Sequence, residues 1–542
     1  MTKGMVCAPQ PEAVEAGAMA LKRGGNAVDA AMTCALVQTV VDPMMCGIAG
    51  FGTMQLYLPD HGTGGHHGYI DFHTTAPASA TATMWQDQIK SQARDGFGFI
   101  LHNRANEAGY ESIMTPGSLK AYSEAVAEYG TFEWRDIIQP AIEHAEDGFV
   151  IRPHVDEFWS ASNVMGRMSV VDKLSQCPAT KEIYFDNDGN TYPVGARVKN
   201  PGMKRTLERI RDGGAETFYS GELGEEIAAD MAAQGGRITF DDLKDYRTVR
   251  SEPIWGEYRG HKVACGQPPG GGVMILEMLN ILEHFDLRAM THNSADYIAI
   301  VAEAMKLATI DKDNLMGDPA FDDVPIRDFI DRQQAGRNAE QIRAGEKANV
   351  IRLGEAEESK DTTHVTVVDE AGNCVSMTHS LGMPSGVVSP GMGFMYNGCM
   401  GAFDPRPGMP HSIGPGKRRF TAMCPTIVFK GDDPYVVVGA PGGTYITMGV
   451  LQAILNVMDF DMTMLEAVAA PRFTANSNTI DVSNRIPHFV TRELEDRGYP
   501  VVRNPFSYVF AGVHGIRMED GDRGRRWDGG ADPGRDGIAL EI

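Results

Sequence analysis

The step from Asp361 to Thr362 divides this chain into two parts of different pattern, and no other feature limits its fold as much. From residue 118 to about 350, apolar residues recur mostly at helical spacing. A strand-like run interrupts near 260–265, and the turn Pro268-Pro-Gly-Gly-Gly272 precedes an apolar helix over 273–285. Beyond Thr362, strand-type runs at 365–368, 374–379, 426–429 and 435–438 dominate, with helices over 444–458 and 464–470. A helix-rich segment 1–361 thus meets a strand-rich segment 362–542, which makes the fold α+β. The run Glu355-Ala-Glu-Glu-Ser-Lys-Asp361 is polar and reads as an exposed tether.

The first seventy residues follow the same logic on a smaller scale. Residues 11–23 carry helix-period apolar positions and stop at Gly24-Gly25. Asn26 is placed to cap a second helix over 27–40, whose Ala, Val and Leu content predicts burial. A glycine-rich turn over 46–52 leads into a strand at 53–58, and 69–72 is the returning strand. Residues 61–68, including His66 and His67, read as the polar tip between them.

The chemistry lies at the junction. Inside an uncut peptide Thr362 is an ordinary strand-edge residue. Cut the bond before it, and the same residue carries a hydroxyl and a free α-amine of pKa about 7.7–8.0. That amine can act as base for the hydroxyl at neutral pH, the Thr-plus-N-terminal-amine form of an activated nucleophile. Ser380 ends the next strand-type run, so a hairpin would return its hydroxyl to Thr362. Pro441-Gly-Gly-Thr444 joins a strand to an apolar helix, and Gly442 and Gly443 would present unobstructed backbone N–H groups with a helix dipole behind them. Such donors suit an oxyanion hole, worth about 3–4 kcal/mol per donor in acyl transfer. His364 invites a Ser-His-Asp reading, but a terminal Thr has its own base, and His364 is read as structural.

Composition narrows the alternatives. A net charge of −23 over 542 residues excludes a nucleic-acid partner, which requires a basic footprint. No run reaches the roughly 18 apolar residues of a membrane span, and the start shows no secretory pattern. The eight cysteines are scattered without CxxC spacing, as expected of reduced thiols in a cytoplasmic protein. No metal or organic cofactor is expected.

Taken together, the motifs resemble the gamma-glutamyltransferase family of N-terminal-nucleophile (Ntn) hydrolases. The resemblance runs through Leu21-Lys-Arg-Gly-Gly-Asn-Ala-Val-Asp-Ala-Ala31, Asp71-Phe-His-Thr-Thr-Ala-Pro77, Thr115-Pro-Gly117 and Phe218-Tyr-Ser-Gly221. It continues through Thr362-Thr-His364, Gly416-Lys-Arg418, Met423-Cys-Pro-Thr426, Pro441-Gly-Gly443 and Ala531-Asp-Pro-Gly-Arg-Asp-Gly537. It implies a four-layer αββα sandwich from a precursor that cleaves itself before Thr362. Segments 1–361 and 362–542 would then be the large and small subunits of one intertwined domain, with a dimer of such heterodimers as one assembly. Thr362 would be nucleophile and base, Ser380 the hydroxyl that hydrogen-bonds it, and Gly442 and Gly443 the oxyanion donors.

The departures concern recognition. Where the family has an arginine for the substrate α-carboxylate, this chain has His73. The positions that hold the α-amine are Gly382 and Ala402, and the family's serine pair becomes Thr421-Ala422. Charge-assisted bonds are worth about 1.5–3 kcal/mol each, so these losses should weaken a glutamyl head group on the order of hundredfold or more. His73, Met377, Ser380 and Thr444 are pocket candidates, joined by Gly382, Ala402 and Thr421 at the altered positions. Residues 403–416 form a short, Pro- and Gly-containing stretch, read as a fixed rim over an open pocket. The expected function is hydrolysis of a small-molecule amide, water or an amine taking a small or medium acyl group from Thr362. A genuine gamma-glutamyltransferase or glutathione hydrolase is the second reading, and an unprocessed, non-catalytic homologue the third.

Overall fold

The computed structural model describes residues 1–93, 96, 98–160, 167–352, 362–505, 510–521 and 524–542. Two antiparallel sheets form its centre. The first runs Ile538–Glu541, Gly4–Ala8, Thr363–Asp369, Cys374–Ser380, Phe51–Leu58, His66–Phe72, Val249–Ser251. The second runs Gly524–Ala531, His514–Gly521, Asp433–Gly439, Thr426–Lys430, His261–Cys265, Ile254–Tyr258. Both sheets draw strands from each side of Thr362. Glu355–Asp361 of the expected tether lies outside the described residues.

Side chains alternate across the first sheet with period two, and the two faces have different neighbours. Val365, Val367, Val375 and Met377 join the core beneath the helices Pro11–Lys22 and Ala27–Val41. Met5, Cys7, Val368 and Cys374 face the other way, against Ile427, Phe429, Val437 and Ile516 of the second sheet. The helices Gly272–Leu282, Ile446–Met458 and Met464–Ala469 cover that sheet's outer face. The order is helix, sheet, sheet, helix: an αββα sandwich.

Local expectations were met at Asn26, which forms a reciprocal capping box with Asp29. All eight cysteines are buried and unbonded. Three readings need correction. His66 and His67 are not a loop tip; they open the His66–Phe72 strand, where His67 packs edge-on against Tyr57 and Trp255. Met377 is not a pocket residue, because its parity sends it into the helix-facing core. The helix after Gly442-Gly443 begins only at Ile446, and a single 3-10 turn, Gly443–Tyr445, intervenes.

Candidate active site

Hairpin register builds the centre of the site. Thr363–Asp369 pairs with Cys374–Ser380 so that Thr363 faces His379, which sets Thr362 opposite Ser380. Thr362 Oγ donates to Ser380 Oγ at 3.1 Å, and the Gly382 backbone N–H donates to the same oxygen at 2.8 Å. Thr362 is 4% exposed and Ser380 fully buried. Phe51 is the partner of Ser380 on the neighbouring strand.

His364 lies between the sheets. Nδ1 bonds Thr378 Oγ at 2.8 Å, Nε2 bonds Thr366 Oγ at 2.9 Å, and the ring stacks on His514. Burial pushes its pKa down to about 3, with His379 adding to the shift, so at neutral pH the ring is uncharged. Both nitrogens are engaged by threonine hydroxyls, which accords with the structural reading.

The same ring fixes the approach of the second sheet. A Cβ at Gly439 would lie 2.1 Å from His364 Cε1, so only glycine lets the strand pass. Ser376 Oγ donates to the Val438 carbonyl at 3.2 Å. From Val438 to Gly439 the chain therefore advances toward the Thr362 end of the hairpin, and Pro441-Gly442-Gly443 follows. Gly442 and Gly443 have φ of +137° and +57°, a turn that side-chain-bearing residues enter only with strain.

On the helix-facing side, Thr363 is held by amides. Gln38 Nε2 donates to Gln10 Oε1 at 2.7 Å, to Thr363 Oγ at 3.1 Å and to the His364 carbonyl at 3.3 Å. Gln38 Oε1 accepts from His379 Nε2 at 2.8 Å, which makes Nδ1 the acceptor for Tyr122 OH at 2.6 Å. Burial pushes the His379 pKa down to about 3. Sequence reading passed over Gln38, although a lone amide inside an apolar helix was the available signal.

The altered recognition positions form a second group. His73 Nδ1 donates to Asp71 Oδ1 at 2.5 Å, and Arg418 bridges Asp71 Oδ2 and Asp318. Burial opposes charge on Asp71, but His73 and Arg418 outweigh it and hold the carboxyl below its usual range. Arg418 thereby ties the Asp71-Phe-His motif to Gly416-Lys-Arg. Gly382 lies against Arg419 and Cys399, and Arg419 stacks over Phe51 at 4.4 Å. Arg419, which directly follows the recognised Gly416-Lys-Arg418 motif, was not singled out in sequence.

Ala402 closes a 3-10 turn that begins at Cys399, and Thr421 stands two residues beyond Arg419 with its N–H on the Pro269 carbonyl. Thr444 sits in the turn after Gly443, its carbonyl accepting from Asn476 Nδ2 at 3.2 Å. Within 403–416, the Pro410 carbonyl accepts from Lys417 Nζ at 2.9 Å and Arg406 pairs with Asp404 at 2.6 Å. Among the described residues no group of three or more His, Cys, Asp or Glu is arranged to hold a metal, and no helix is long and apolar enough to cross a membrane.

Two stacked sheets between helices, with a hydroxyl residue heading a central strand, define an Ntn-type amidohydrolase. Comparison with known proteins carries this to a family. Residues 13–542 match the gamma-glutamyltranspeptidase family. The "Acylase ACY 1 proenzyme" of Pseudomonas sp. (strain V22) is 39% identical over 511 residues, covering 93% of this chain and 88% of the relative. The "Glutathione hydrolase proenzyme" of Bacillus subtilis (strain 168) is 33% identical over 561 residues, covering 99% and 91%. The crystal structure of a cephalosporin acylase from Bacillus halodurans superposes with a TM-score of 0.86 at 27% identity, covering 99% of this chain and 96% of that one. The chain belongs to the gamma-glutamyltranspeptidase family.

Proposed function

We propose that this protein is a self-processing acylase that cuts the bond before Thr362. It then hydrolyses an amide through an acyl-Thr362 intermediate, on a substrate without the amino-acid head of a glutamyl group. The observation that carries the reading is the Thr362–Ser380 hydroxyl contact of 3.1 Å at the head of the strand. The freed amine takes the Thr362 hydroxyl proton, and Oγ attacks the amide carbonyl. The N–H groups of Gly442 and Gly443 receive the developing oxyanion. The leaving amine departs protonated, and water or an acceptor amine takes the acyl group.

What supports an acylase over a glutathione hydrolase is the recognition side. Gly382 and Ala402 provide no carboxylate or amide for an α-amine, and where the family has an arginine fork His73 offers a single imidazole whose Nδ1 edge is bonded to Asp71. The acylase relatives at 37–39% identity point the same way. The glutathione hydrolase relatives keep the second reading alive, and efficient turnover of a gamma-glutamyl anilide at micromolar substrate would favour it.

The test is the intact mass of denatured protein alongside amide turnover. Wild type should give two fragments, ending at Asp361 and beginning at Thr362. Thr362→Ala should give one uncut, inactive chain. An active Thr362→Ala protein would sink the assignment.

A further inference from the structure

We propose that Asn476 is a positioning residue of the oxyanion turn, and that residues 349–352, shortly before the cut, hold Asn476 in place. The stretch ahead of Thr362 thereby sets the donors that serve Thr362. The inference rests on the reading of Gly442 and Gly443 as donors to an acyl-Thr362 intermediate.

Both glycines lie at positive φ, where the backbone has little steric preference of its own, so contacts from outside must hold the turn. Backbone holds its first end. Gly512 N–H donates to the Pro441 carbonyl at 3.0 Å, and a Cβ at Gly442 would lie 2.7 Å from Ala511 Cα. Within the turn, Tyr445 N–H donates to the Gly442 carbonyl at 3.1 Å. A side chain meets the far end: Asn476 Nδ2 donates to the Thr444 carbonyl at 3.2 Å. That carbonyl can only accept, so the amide must present its NH2 there. Thr474 Oγ donates to Asn476 Oδ1 at 2.8 Å and fixes the same orientation. Asn476 is 6% exposed, which limits the access of water to this bond.

Asn476 lies in the turn between the strands Phe473–Thr474 and Ile480–Ser483. Residues 349–352 are laced to that turn from the other segment. Arg352 Nη2 donates to the Asn476 carbonyl at 2.8 Å. Val350 N–H donates to Asn478 Oδ1 at 2.8 Å, and Asn478 Nδ2 donates to Asn349 Oδ1 at 2.8 Å. Arg352 is itself anchored by an ion pair with Asp313 of the helix Ala295–Leu315. A continuous line of bonds thus runs from that helix through Arg352 and Asn476 to the oxyanion turn. Its effect falls on donors whose charged partner exists only in the transition state, so its loss lowers kcat and spares KM.

The probe is 4-nitrophenyl butyrate, an activated ester of a short acyl group, assayed on protein whose intact mass shows both fragments. Asn476→Asp keeps the shape but sets an oxygen against the Thr444 carbonyl; kcat should fall at least about thirtyfold, with KM within about twofold. Asn476→Ala should lower kcat about tenfold and Arg352→Gln about threefold, with KM again unmoved. Butylboronic acid, whose tetrahedral adduct on a hydroxyl places an anionic oxygen in such a hole, should bind each variant more weakly in proportion to its loss of kcat. A merely misfolded fraction would lower kcat and leave that affinity alone. Lost kcat with unchanged boronate affinity, or a loss carried by KM, would overturn the proposal.

A readout without turnover separates this inference from the reading beneath it. Hydrogen exchange over residues 441–447 should be faster in Asn476→Ala than in wild type, in cut and uncut protein alike. Unchanged exchange there would overturn the proposal whatever the kinetics. An uncut, inactive wild type whose exchange responds in this way would fail the nucleophile reading and support the hold of Asn476 on the turn. If Asn476→Ala does not fold, Arg352→Gln carries both measurements.

Discussion

Two polar clusters flank the head of the Thr363–Asp369 strand, and they are built on opposite principles. On the helix side, Gln10, Gln38, His379 and Tyr122 make a network of amides, a hydroxyl and an uncharged imidazole, and its one carboxyl, Asp42, sits at the far end on Gln10 Nε2 with its pKa raised by burial. On the other side, Asp71, Arg418, Asp318 and Arg419 bring formal charges into the interior. Neutral groups with short, directional bonds fix a backbone position with little dependence on ligand or salt. Buried charges respond to whatever ion enters. The first cluster fixes the strand head that carries Thr362, and the second joins the strand of Asp71 to the segment of Arg418.

The sharpest way to break that division is Gln38→Leu. It strands the His379 N–H in the interior, at about 1–3 kcal/mol, and takes one donor each from the His364 carbonyl and from Gln10 Oε1, which keeps Thr363 Oγ. We expect a lowered melting temperature and slower conversion of precursor to fragments in a time course of intact masses. Normal processing in this variant would remove the helix-side cluster from nucleophile positioning.

Gly382→Asn should have a smaller effect. The added side chain collides with Arg419 and Cys399, an overpacking cost of about 1–3 kcal/mol, while asparagine tolerates the positive φ. Denaturant melts should show that loss, and the variant should gain no gamma-glutamyl turnover. A rise in that turnover would mean that the slot at 382 is not filled by the guanidinium.

A pH series tests the claim that the imidazole of the helix-side cluster is neutral. The folded pKa of His379, about 3, lies below its unfolded value of about 6.5. Between them the unfolded chain binds the extra proton, so this contribution is complete above about pH 6.5 and is lost as pH falls toward 3. Substituting His379→Gln should flatten the slope of stability against pH in that window by at most about 1.4 kcal/mol per unit. An unchanged slope in urea melts at pH 4 to 7 would show that His379 is already charged in the folded state.

The hairpin that carries Thr362 and Ser380 was legible because period-two alternation and one tight turn fix its register locally. Other strands were hidden. Gly524–Ala531 reads GRRWDGGA, with three glycines and three charges, and is a strand because His514–Gly521 pairs along its length. His66 and His67 look like loop residues until Tyr57, Trp255 and Phe429 surround His67. Absences at 73, 382 and 402 were readable as lost contacts. What replaced them was not, since Arg419 meets Gly382 only through tertiary packing across 36 intervening positions.

The placement of Gly4–Ala8 has a consequence for the life of the protein after a cut. That strand, from the beginning of the chain, is hydrogen-bonded on one edge to Thr363–Asp369 and on the other to Ile538–Glu541. Scission ahead of Thr362 would therefore release nothing, and the two pieces would stay joined by sheet. It would, however, change the molecularity of folding. The uncut chain brings these strands together as one molecule, at the high effective concentration that a tether confers. The cut form, once melted, becomes two solutes that must find each other at bulk concentration. Maturation would thus convert a reversible fold into one maintained by its unfolding rate, and heat inactivation of the mature enzyme should be permanent where that of Thr362→Ala is not.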